Sequence, residues 1–249
     1  MNRMPVRLRM VSRRPLLPSV TLVVLAKYTA IFNGFIENAN EYEPHVEKIL
    51  VRDGHEVCCP SWKTIQGPEK FSMAGNANLG WRAVSLNDDI LYIGDDVRFL
   101  QKNTIAGLRD LAYAHPDVGL LSPKIVGGAD NSLQTNPPNA DIVFSERHLA
   151  LICTYIKREV INKVGYLDEE TFVGYGFDDV DYCRRVRNAG YKLAIDPSIS
   201  VQHGVQRMDN GELRKGTETF IINSRGVYDT IQAQCDANEL AYKKKWKEL

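Results

Sequence analysis

Strand-like and helix-like segments alternate along the chain, most clearly in its first half. The run VTLVVLA at 20–26 is continuously apolar and rich in β-branched residues, which is typical of a strand covered on both faces. Further strands are predicted over 47–54 and 88–96, and helices over 30–41, 76–86 and 102–116. This β-α-β-α order predicts a mostly parallel central sheet with helices on both faces.

The second half of the chain has a more mixed pattern. Its predicted elements are, in order, a strand at 118–128, a turn-rich loop at 127–141, a strand and helix at 149–165, a helix at 178–190 that ends at Gly190, short strands at 191–196 and 199–203, and a basic helical tail. We find neither an internal repeat nor a linker in the sequence. One α/β domain over 18–249 is therefore the expectation.

Composition and charge narrow the range of functions only slightly. The chain has 249 residues, with 31 basic and 31 acidic ones, so net charge gives no reason to expect a nucleic-acid partner. The five cysteines are odd in number and no pair has C-x-x-C spacing, which argues against a disulfide framework or a zinc site. A reducing, cytoplasmic location is the simplest expectation.

The N-terminal segment 1–17 is strongly basic, with five arginines and no acidic residue. A solvated arm is the simplest interpretation, and the alternative is peripheral contact with an anionic membrane surface, through this arm or through the basic C-terminal tail. Pro18 and Ser19 interrupt the apolar run that follows, so we expect no signal peptide. The sequence contains no apolar run of the roughly 20 residues that a transmembrane helix needs.

The strand at 88–96 ends in two adjacent carboxylates, Asp95 and Asp96, directly after Gly94. Ligands of open α/β sheets bind beyond the carboxyl ends of the strands. Two like charges at such a position repel each other unless a cation or hydrogen-bond donors lie beside them, and Mg²⁺ or Mn²⁺ bound to a diphosphate meets that need. A turn with a solvated pair of aspartates is the alternative.

A second acidic cluster follows the segment Gly-Tyr-Gly-Phe at 174–177. Asp178 and Asp179 begin a helix there, where the helix dipole favours carboxylates. Capping explains one or two of these acids but does not explain an approach loop of glycines and aromatic rings, which suits a sugar ring and a base that removes a hydroxyl proton. His203 ends the last strand and is a candidate metal ligand, whereas His148 has no partner motif.

Together these segments resemble a family 2 glycosyltransferase of the GT-A fold, and most nearly the rhamnosyltransferases and galactofuranosyltransferases. The resemblance runs from about Val20 to Trp246 and depends on the order and spacing of many segments. They are VTLVVLAKY, ILVRDG, GNANLGWRAV, ILYIGDDVRF, VGLLSPKIVG, IKREVINKVGYLDEETF, GFDDVDYCRRVRNAGYKL, ISVQHG and NELAYKKKW. The resemblance implies a nucleotide-sugar half at about 18–126 and an acceptor half with a helical tail at 127–249.

The resemblance also implies an activity and a role for individual residues. A sugar would pass with inversion from a nucleotide-diphosphate donor (a UDP-, GDP- or dTDP-sugar) to an acceptor hydroxyl, with Mn²⁺ or Mg²⁺ as cofactor. The implied donor-binding residues are Ala26, Tyr28, Asp53, Asn78, Gly80 and Asp95; the metal ligands are Asp96 and His203; the acceptor-binding residues are Gly174, Tyr175 and Asp178; and the base is Asp179, with Asp178 as the alternative. Trp81 and Phe172 are further candidates for stacking on a sugar, although Trp81 also suits the core.

Two features leave alternatives open. Gly94 stands where the family has an acidic residue or Asn, which favours a sugar- or nucleotide-binding module without catalysis, whereas Asp96, Asp179 and His203 favour an enzyme. A nucleotidyltransferase shares the α/β nucleotide half, but it needs an early Gly-rich loop with Lys or Arg, and the segment LAKYTAIFNGF does not supply one.

Overall fold

The structure is a computed structural model that describes residues 17–53, 57–68, 70–204, 220–222 and 228–248, so the predicted basic arm lies outside it except for Leu17. The strands are β1 (Val20–Ala26), β2 (Glu47–Arg52), β3 (Lys63–Gln66), β4 (Asp89–Gly94), β5 (Arg98–Phe99), β6 (Val118–Val126), β7 (Val143–Ser145), β8 (Cys153–Ile156), β9 (Lys192–Gln202), β10 (Phe220–Ile222) and β11 (Tyr228–Thr230). The helices are α1 (Thr29–Tyr42), α2 (Met73–Ala83), α3 (Thr104–Ala114), α4 (Ser132–Thr135), α5 (Arg158–Val164), α6 (Asp178–Asn188) and α7 (Ile231–Trp246).

Nine of these strands form one sheet in the order β3-β2-β1-β4-β8-β6-β9-β5, with β7 also paired to β9. Strands β1 to β4 pair in parallel, and β8 runs antiparallel between β4 and β6. Since β6 is antiparallel to β8 and parallel to β9, strands β3, β2, β1, β4, β6 and β9 all point the same way. The predicted mostly parallel sheet is confirmed.

The two faces of the sheet are covered by different helices, as the continuous apolar strands require. One apolar cluster packs β1, β4 and β6 against α1 and α3, through residues such as Phe32, Phe35 and Leu108. The other packs the opposite face against α2, α5 and α6, through Trp81 and Tyr182 among others. Within the described part of the chain, no helix combines the length and apolar character needed to cross a membrane.

Several element boundaries differ from the predicted ones for local reasons. Helix α2 begins three residues before the predicted start, because the Ser72 hydroxyl caps it by accepting from Gly75 N at 3.0 Å. The predicted strands 191–196 and 199–203 are one strand, β9, whose pairing register with β6 shifts between Pro123 and Lys124. The Asp196 carboxylate supports this irregularity by accepting from Ser198 N at 2.8 Å. The short strand β3 and the helical turn α4 were not predicted.

The amino end of β4 contains a buried carboxylate that the sequence does not single out. Asp89 is fully buried and accepts hydrogen bonds from the hydroxyls of Tyr113, at 3.0 Å, and Tyr155, and from Arg158 N at 2.7 Å. It thereby joins α3, β8 and α5 to the start of β4. Burying a charge is tolerated because three donors surround it.

We expect Asp89→Ala to lower the free energy of unfolding by about 3 kcal/mol, because three donors in or near the core lose their acceptor. Urea denaturation at pH 7 measures the loss. The matched control is Asp110→Ala, since Asp110 is exposed and pairs with Arg109 on the surface, where such pairs contribute about 0–1 kcal/mol. Equal stability of the two variants would contradict the role assigned to Asp89.

Candidate active site

The parallel strands bring most of the predicted site residues to one edge of the sheet. Strands β1, β2, β4, β6 and β9 all end at this edge, so the residues that directly follow them are neighbours in space. Those residues are Lys27 and Tyr28 after β1, Asp53 after β2, Asp95 and Asp96 after β4, Gly127 and Gly128 after β6, and His203 after β9. We call this edge the carboxyl edge.

Asp96 and His203 lie side by side at the carboxyl edge, as predicted for a shared metal ion. His203 Nε2 is 3.5 Å from Asp96 Oδ2. The short strand β5 explains the contact, because Arg98 pairs with Gln202 and so brings the ends of β4 and β9 together. His203 Nδ1 donates to the carbonyl oxygen of Gly128 at 2.7 Å, so Nε2, which faces Asp96, is the ring nitrogen that a metal ion would take.

This pair of side chains fits a divalent cation that is also held by a diphosphate. Two adjacent ligand atoms of an octahedral Mg²⁺ or Mn²⁺ ion lie about 3 Å apart, close to the observed separation. The hydrogen bond from Nδ1 to a carbonyl is the usual support of a metal-binding histidine. Among the described residues, no group of three or more His, Cys, Asp or Glu side chains could hold a metal ion.

The two adjacent acids at the end of β4 have different partners. Asp96 faces His203, whereas Asp95 bonds to other residues. Asp95 Oδ2 accepts from Lys27 N at 3.4 Å, and its carbonyl oxygen accepts from Arg98 Nη1 at 2.7 Å. The Arg98 guanidinium interacts with the charges of both Asp95 and Asp96. A Cβ atom on Gly94 would come within 2.9 Å of Asp96 Oδ1, so a side chain at this position would crowd the Asp96 carboxylate.

A second group at the carboxyl edge consists of Lys27, Asp53 and Asn76. Lys27 Nζ is 3.7 Å from Asp53 Oδ2, and burial raises the pKa of Asp53 against the opposing effects of Lys27 and Asn76. Within the described residues, Asn76 Oδ1 is a buried acceptor without a hydrogen-bond partner, and buried Asp53 Oδ2 makes no hydrogen bond shorter than its 3.7 Å contact with Lys27. Buried acceptors of this kind favour a bound group that donates hydrogen bonds.

The structure gives two of the predicted donor-binding residues a packing role instead. Asn78 is fully buried, and its amide both donates to Leu167 O and accepts from Leu167 N at 2.9 Å. A Cβ on Gly80 would come within 2.4 Å of Val23 Cγ1, so this glycine lets α2 pack closely on the sheet. Asn76, two residues closer to the start of α2 and therefore on a different face of the helix, is the asparagine that lies beside Asp53. The sequence NAN offers both and does not distinguish them.

A cavity of about 370 Å³ opens next to Asn76, lined by Gly67, Ser72, Gly75 and Glu169 among others. A Cβ on Gly67 would lie 2.2 Å from Asn76 Oδ1, so only glycine allows this close approach. A wider cavity of about 570 Å³ lies near Ser19 and Val20, at the opposite end of β1, and is remote from the carboxyl edge. The candidate site is therefore identified by where its cavity lies relative to the acidic clusters and not by the volume of the cavity.

The loop at 174–177 leads into α6 in a left-handed backbone conformation that favours glycine. Gly174, Gly176 and Phe177 have φ angles of 76°, 94° and 66°, and two glycines relieve most of the strain that this conformation causes. Helix α7 holds the loop, because Asn238 Nδ2 donates to the carbonyl oxygens of Val173, Tyr175 and Gly176 at 3.0–3.1 Å. The predicted basic tail thus contains a support of the candidate site.

The three acids of α6 have different environments. Asp181 is fully buried and bonded to Arg185, Lys245 and the indole of Trp246, so it anchors α7. Asp178 is buried, and burial together with the neighbouring charge of Asp179 raises its pKa to about 7. Burial also raises the pKa of Asp179, while His148 opposes that shift.

Tyr175 connects the acidic clusters of the two halves. Burial raises the pKa of its hydroxyl to about 12, and the negative charges of Asp179, Asp178 and Asp96 add to the effect. The side chain is 39% exposed and its ring stacks on Phe71, with centroids 6.5 Å apart. Trp81 and Phe172, the other stacking candidates, are buried in the core and present no face to a ligand.

Comparisons with known proteins find similar structures but no protein of similar sequence. No family model and no curated protein matches the chain. Among solved structures, GalNAc-T7 with UDP, GalNAc and Mn²⁺ superposes with a TM-score of 0.63 at 13% identity, over 76% of this chain and 44% of that one. Glucosyl-3-phosphoglycerate synthase from Mycobacterium tuberculosis, with Mn²⁺, UDP and phosphoglyceric acid, gives 0.52 at 12% identity, over 75% of this chain and 70% of that one.

The fold is that of GT-A glycosyltransferases. The expected architecture, a central sheet flanked by helices, is therefore confirmed. The chain spans less than half the length of the GalNAc-T7 chain, so the likeness concerns the shared domain and not the whole of that protein.

The raised pKa of Asp178 predicts a pH-dependent stability. The folded protein holds this proton up to about pH 7, whereas the unfolded chain releases it near pH 4, so the stability contribution of Asp178 falls as pH rises between these values. We expect Asp178→Asn to raise the melting temperature relative to wild type by at least about 2 °C more at pH 8 than at pH 5. Calorimetry at both pH values measures this.

The control is Asp110→Asn, a surface substitution, which should show the same small difference from wild type at both pH values. An Asp178→Asn variant whose difference from wild type is also independent of pH would contradict the proton assigned to Asp178.

Proposed function

We propose that the protein is a metal-dependent, inverting glycosyltransferase that moves a sugar from a nucleotide-diphosphate sugar to an acceptor hydroxyl. The observation that carries the proposal is the convergence on Tyr175. Asp96, which with His203 forms the pair suited to a metal ion and a diphosphate, and the Asp178–Asp179 pair, suited to proton removal, all raise the pKa of this one side chain. A rhamnosyl- or galactofuranosyltransferase-like specificity remains a prediction from the sequence resemblance.

The donor nucleotide is assigned to the part of the carboxyl edge that follows β1 and β2. The buried acceptors of Asp53 and Asn76 suit the N–H groups of a nucleobase, and Lys27 and Tyr28 lie next to them at the end of β1. GalNAc-T7 and glucosyl-3-phosphoglycerate synthase were both solved with UDP and Mn²⁺, which supports a nucleotide donor and a divalent metal here. We place the diphosphate between this group and Asp96.

Asp96 and His203 would hold the divalent cation, which when bound offsets the negative charge that develops on the leaving diphosphate. Ala26 and Asp95 have a structural part in this arrangement. Asp53 N donates to Ala26 O at 2.8 Å and Asp95 N donates to Leu25 O at 3.2 Å, so the end of β1 fixes both acids relative to each other. The residues of the carboxyl edge are thus pre-positioned before a donor binds.

The acceptor is assigned to the loop at 174–177 and the start of α6. Tyr175 offers a partly exposed aromatic ring, and Gly174 provides the positive φ angle that turns the chain before it. Asp179 is the base that takes the proton of the attacking hydroxyl, since it is the less buried of the two acids, and Asp178 keeps its own proton near neutral pH. A single base and direct attack on the anomeric carbon give inversion.

A binding module without catalysis is the competing function. The absence of an acid at position 94 no longer favours it, because Gly94 leaves space for the Asp96 carboxylate. A thermal-shift screen of UDP-, GDP- and dTDP-sugars with Mn²⁺ or Mg²⁺ identifies the donor, since a ligand of the folded state raises its apparent stability. Hydrolysis or transfer of that donor then separates an enzyme from a module that binds it and leaves it intact.

We expect Asp179→Asn to lower kcat for sugar transfer at least about 100-fold while leaving the donor Kd within about twofold, because the base acts on the acceptor and not on the donor. Asp110→Asn, a surface substitution outside the site, is the matched control and should retain the activity of the wild type. Transfer rates and isothermal titration with the donor measure the two quantities.

The configuration of the product tests the stereochemical part of the proposal. NMR of the new glycosidic bond should show the anomeric configuration opposite to that of the donor. Retained configuration, or full activity of Asp179→Asn, would overturn the role assigned to Asp179.

A further inference from the structure

His148 and Asp130 form an ion pair that the sequence did not indicate. His148 Nε2 is 2.8 Å from Asp130 Oδ2. The buried side chain of Asn131 fixes both residues, because it follows Asp130 directly and its Nδ2 donates to His148 O at 2.7 Å. Asn131 Oδ1 in turn accepts from Leu133 N at the start of α4. Asp130 therefore holds the imidazole, and Asn131 holds the backbone of His148.

This pair is attached to the helix that contains the proposed base. Leu149 N donates to Cys183 Sγ at 3.3 Å, and the Cys183 thiol donates to Leu149 O at 3.6 Å. Cys183 lies four residues after Asp179 on α6, so the two side chains share one face of the helix, one turn apart. His148, adjacent to Leu149, is thus placed beside the first turn of α6.

The charges agree with this geometry. The hydrogen bond to Asp130 raises the pKa of His148, and the charge of Asp179 adds to it. His148 in turn is the main influence that lowers the pKa of Asp179 against burial. The pKa of Asp178 is raised by burial and by Asp179, and no cation opposes this shift among its causes.

Other ionisable groups of the described residues also face this region, and among them His148 has the largest lowering effect on the pKa of Asp179. Arg147 opposes the protonation of His148. The remaining groups that interact with Asp179 are acids or neutral hydroxyls and thiols: Asp130, Asp178, Tyr92, Tyr175, Cys183 and Cys235.

We propose that His148, oriented by Asp130, is a positioning residue that keeps Asp179 rather than Asp178 ionised, and so determines which of two adjacent acids removes the acceptor proton. This inference rests on the proposed glycosyl transfer. In that reaction the acceptor oxygen bonds to the anomeric carbon, the bond from that carbon to the diphosphate oxygen breaks, its electron pair leaves with the diphosphate, and the hydroxyl proton passes to Asp179. His148 itself neither gains nor loses a proton.

The first test needs no substrate. NMR titration of the histidine imidazoles, with His148 assigned by its loss from the His148→Gln spectrum, should show its pKa falling by about one unit in Asp179→Asn, because the coupling between two charges is reciprocal. Asp130→Asn should lower it as well. His45, exposed and outside this cluster, is the internal control and should titrate unchanged. An unchanged His148 titration in Asp179→Asn would overturn the inference.

The second test uses the pH dependence of transfer. His148→Gln should move the acidic limb of the kcat profile to higher pH and lower kcat at pH 6 about 10-fold, with the donor KM within twofold. Asp130→Asn should act in the same direction and His45→Gln should do nothing. A merely structural role would lower kcat without moving the profile, and that result would overturn the inference.

The two failures are distinguishable. If wild-type protein transfers no sugar from any donor, the proposed function fails. If wild-type protein is active and the His148→Gln profile keeps its wild-type position, the function stands and the role of His148 fails.

Discussion

Parallel strands bring every residue that follows them to the same edge of the sheet, and the rest of this molecule is organised around the charges that this constraint collects. Asp53 follows β2, Asp95 and Asp96 follow β4 on the other side of β1, and His203 follows a third strand, β9, that β5 joins to them. Such a concentration of acids is costly unless cations offset it. Lys27 and Arg98 offset part of the charge, and the cation proposed between Asp96 and His203 would offset the rest.

The second acidic cluster, Asp178 and Asp179, is positioned near the carboxyl edge by residues from distant parts of the chain. Helix α7 is bound through Asn238 to the loop at 174–177 and through Trp246 and Lys245 to the buried Asp181. The C-terminal helix is therefore part of the structure that positions Asp178 and Asp179. At the other end of β4, Asp89 performs a comparable structural task. The buried carboxylates of this fold therefore have either a structural role, as Asp89 and Asp181 do, or a role in the proposed site. The structural ones are surrounded by more hydrogen-bond donors.

Much of the fold and part of the candidate site could be predicted from the sequence, because the relevant signals are local. The apolar run of β1 and the acids that follow β4 are contiguous segments, and alternation of strands with helices implies the parallel order that brings the ends of β1, β2 and β4 to one edge. The contact between Asp96 and His203 also needs the short strand β5, which was not predicted. Asn76 and His148 could not be predicted in this way. The choice between Asn76 and Asn78 depends on which face of α2 meets Leu167, and the partner of His148 depends on how the loop at 127–131 folds.

The proposed glycosyl transfer depends most directly on a cation shared by Asp96 and His203 next to a bound diphosphate. Anomalous diffraction from crystals grown with UDP and Mn²⁺ measures that position without reference to activity. We predict a manganese peak about 2.2 Å from an Asp96 carboxylate oxygen and from His203 Nε2, with further ligands from the diphosphate. A manganese ion bound to UDP that touches neither residue, or UDP bound away from the carboxyl edge, would contradict the account.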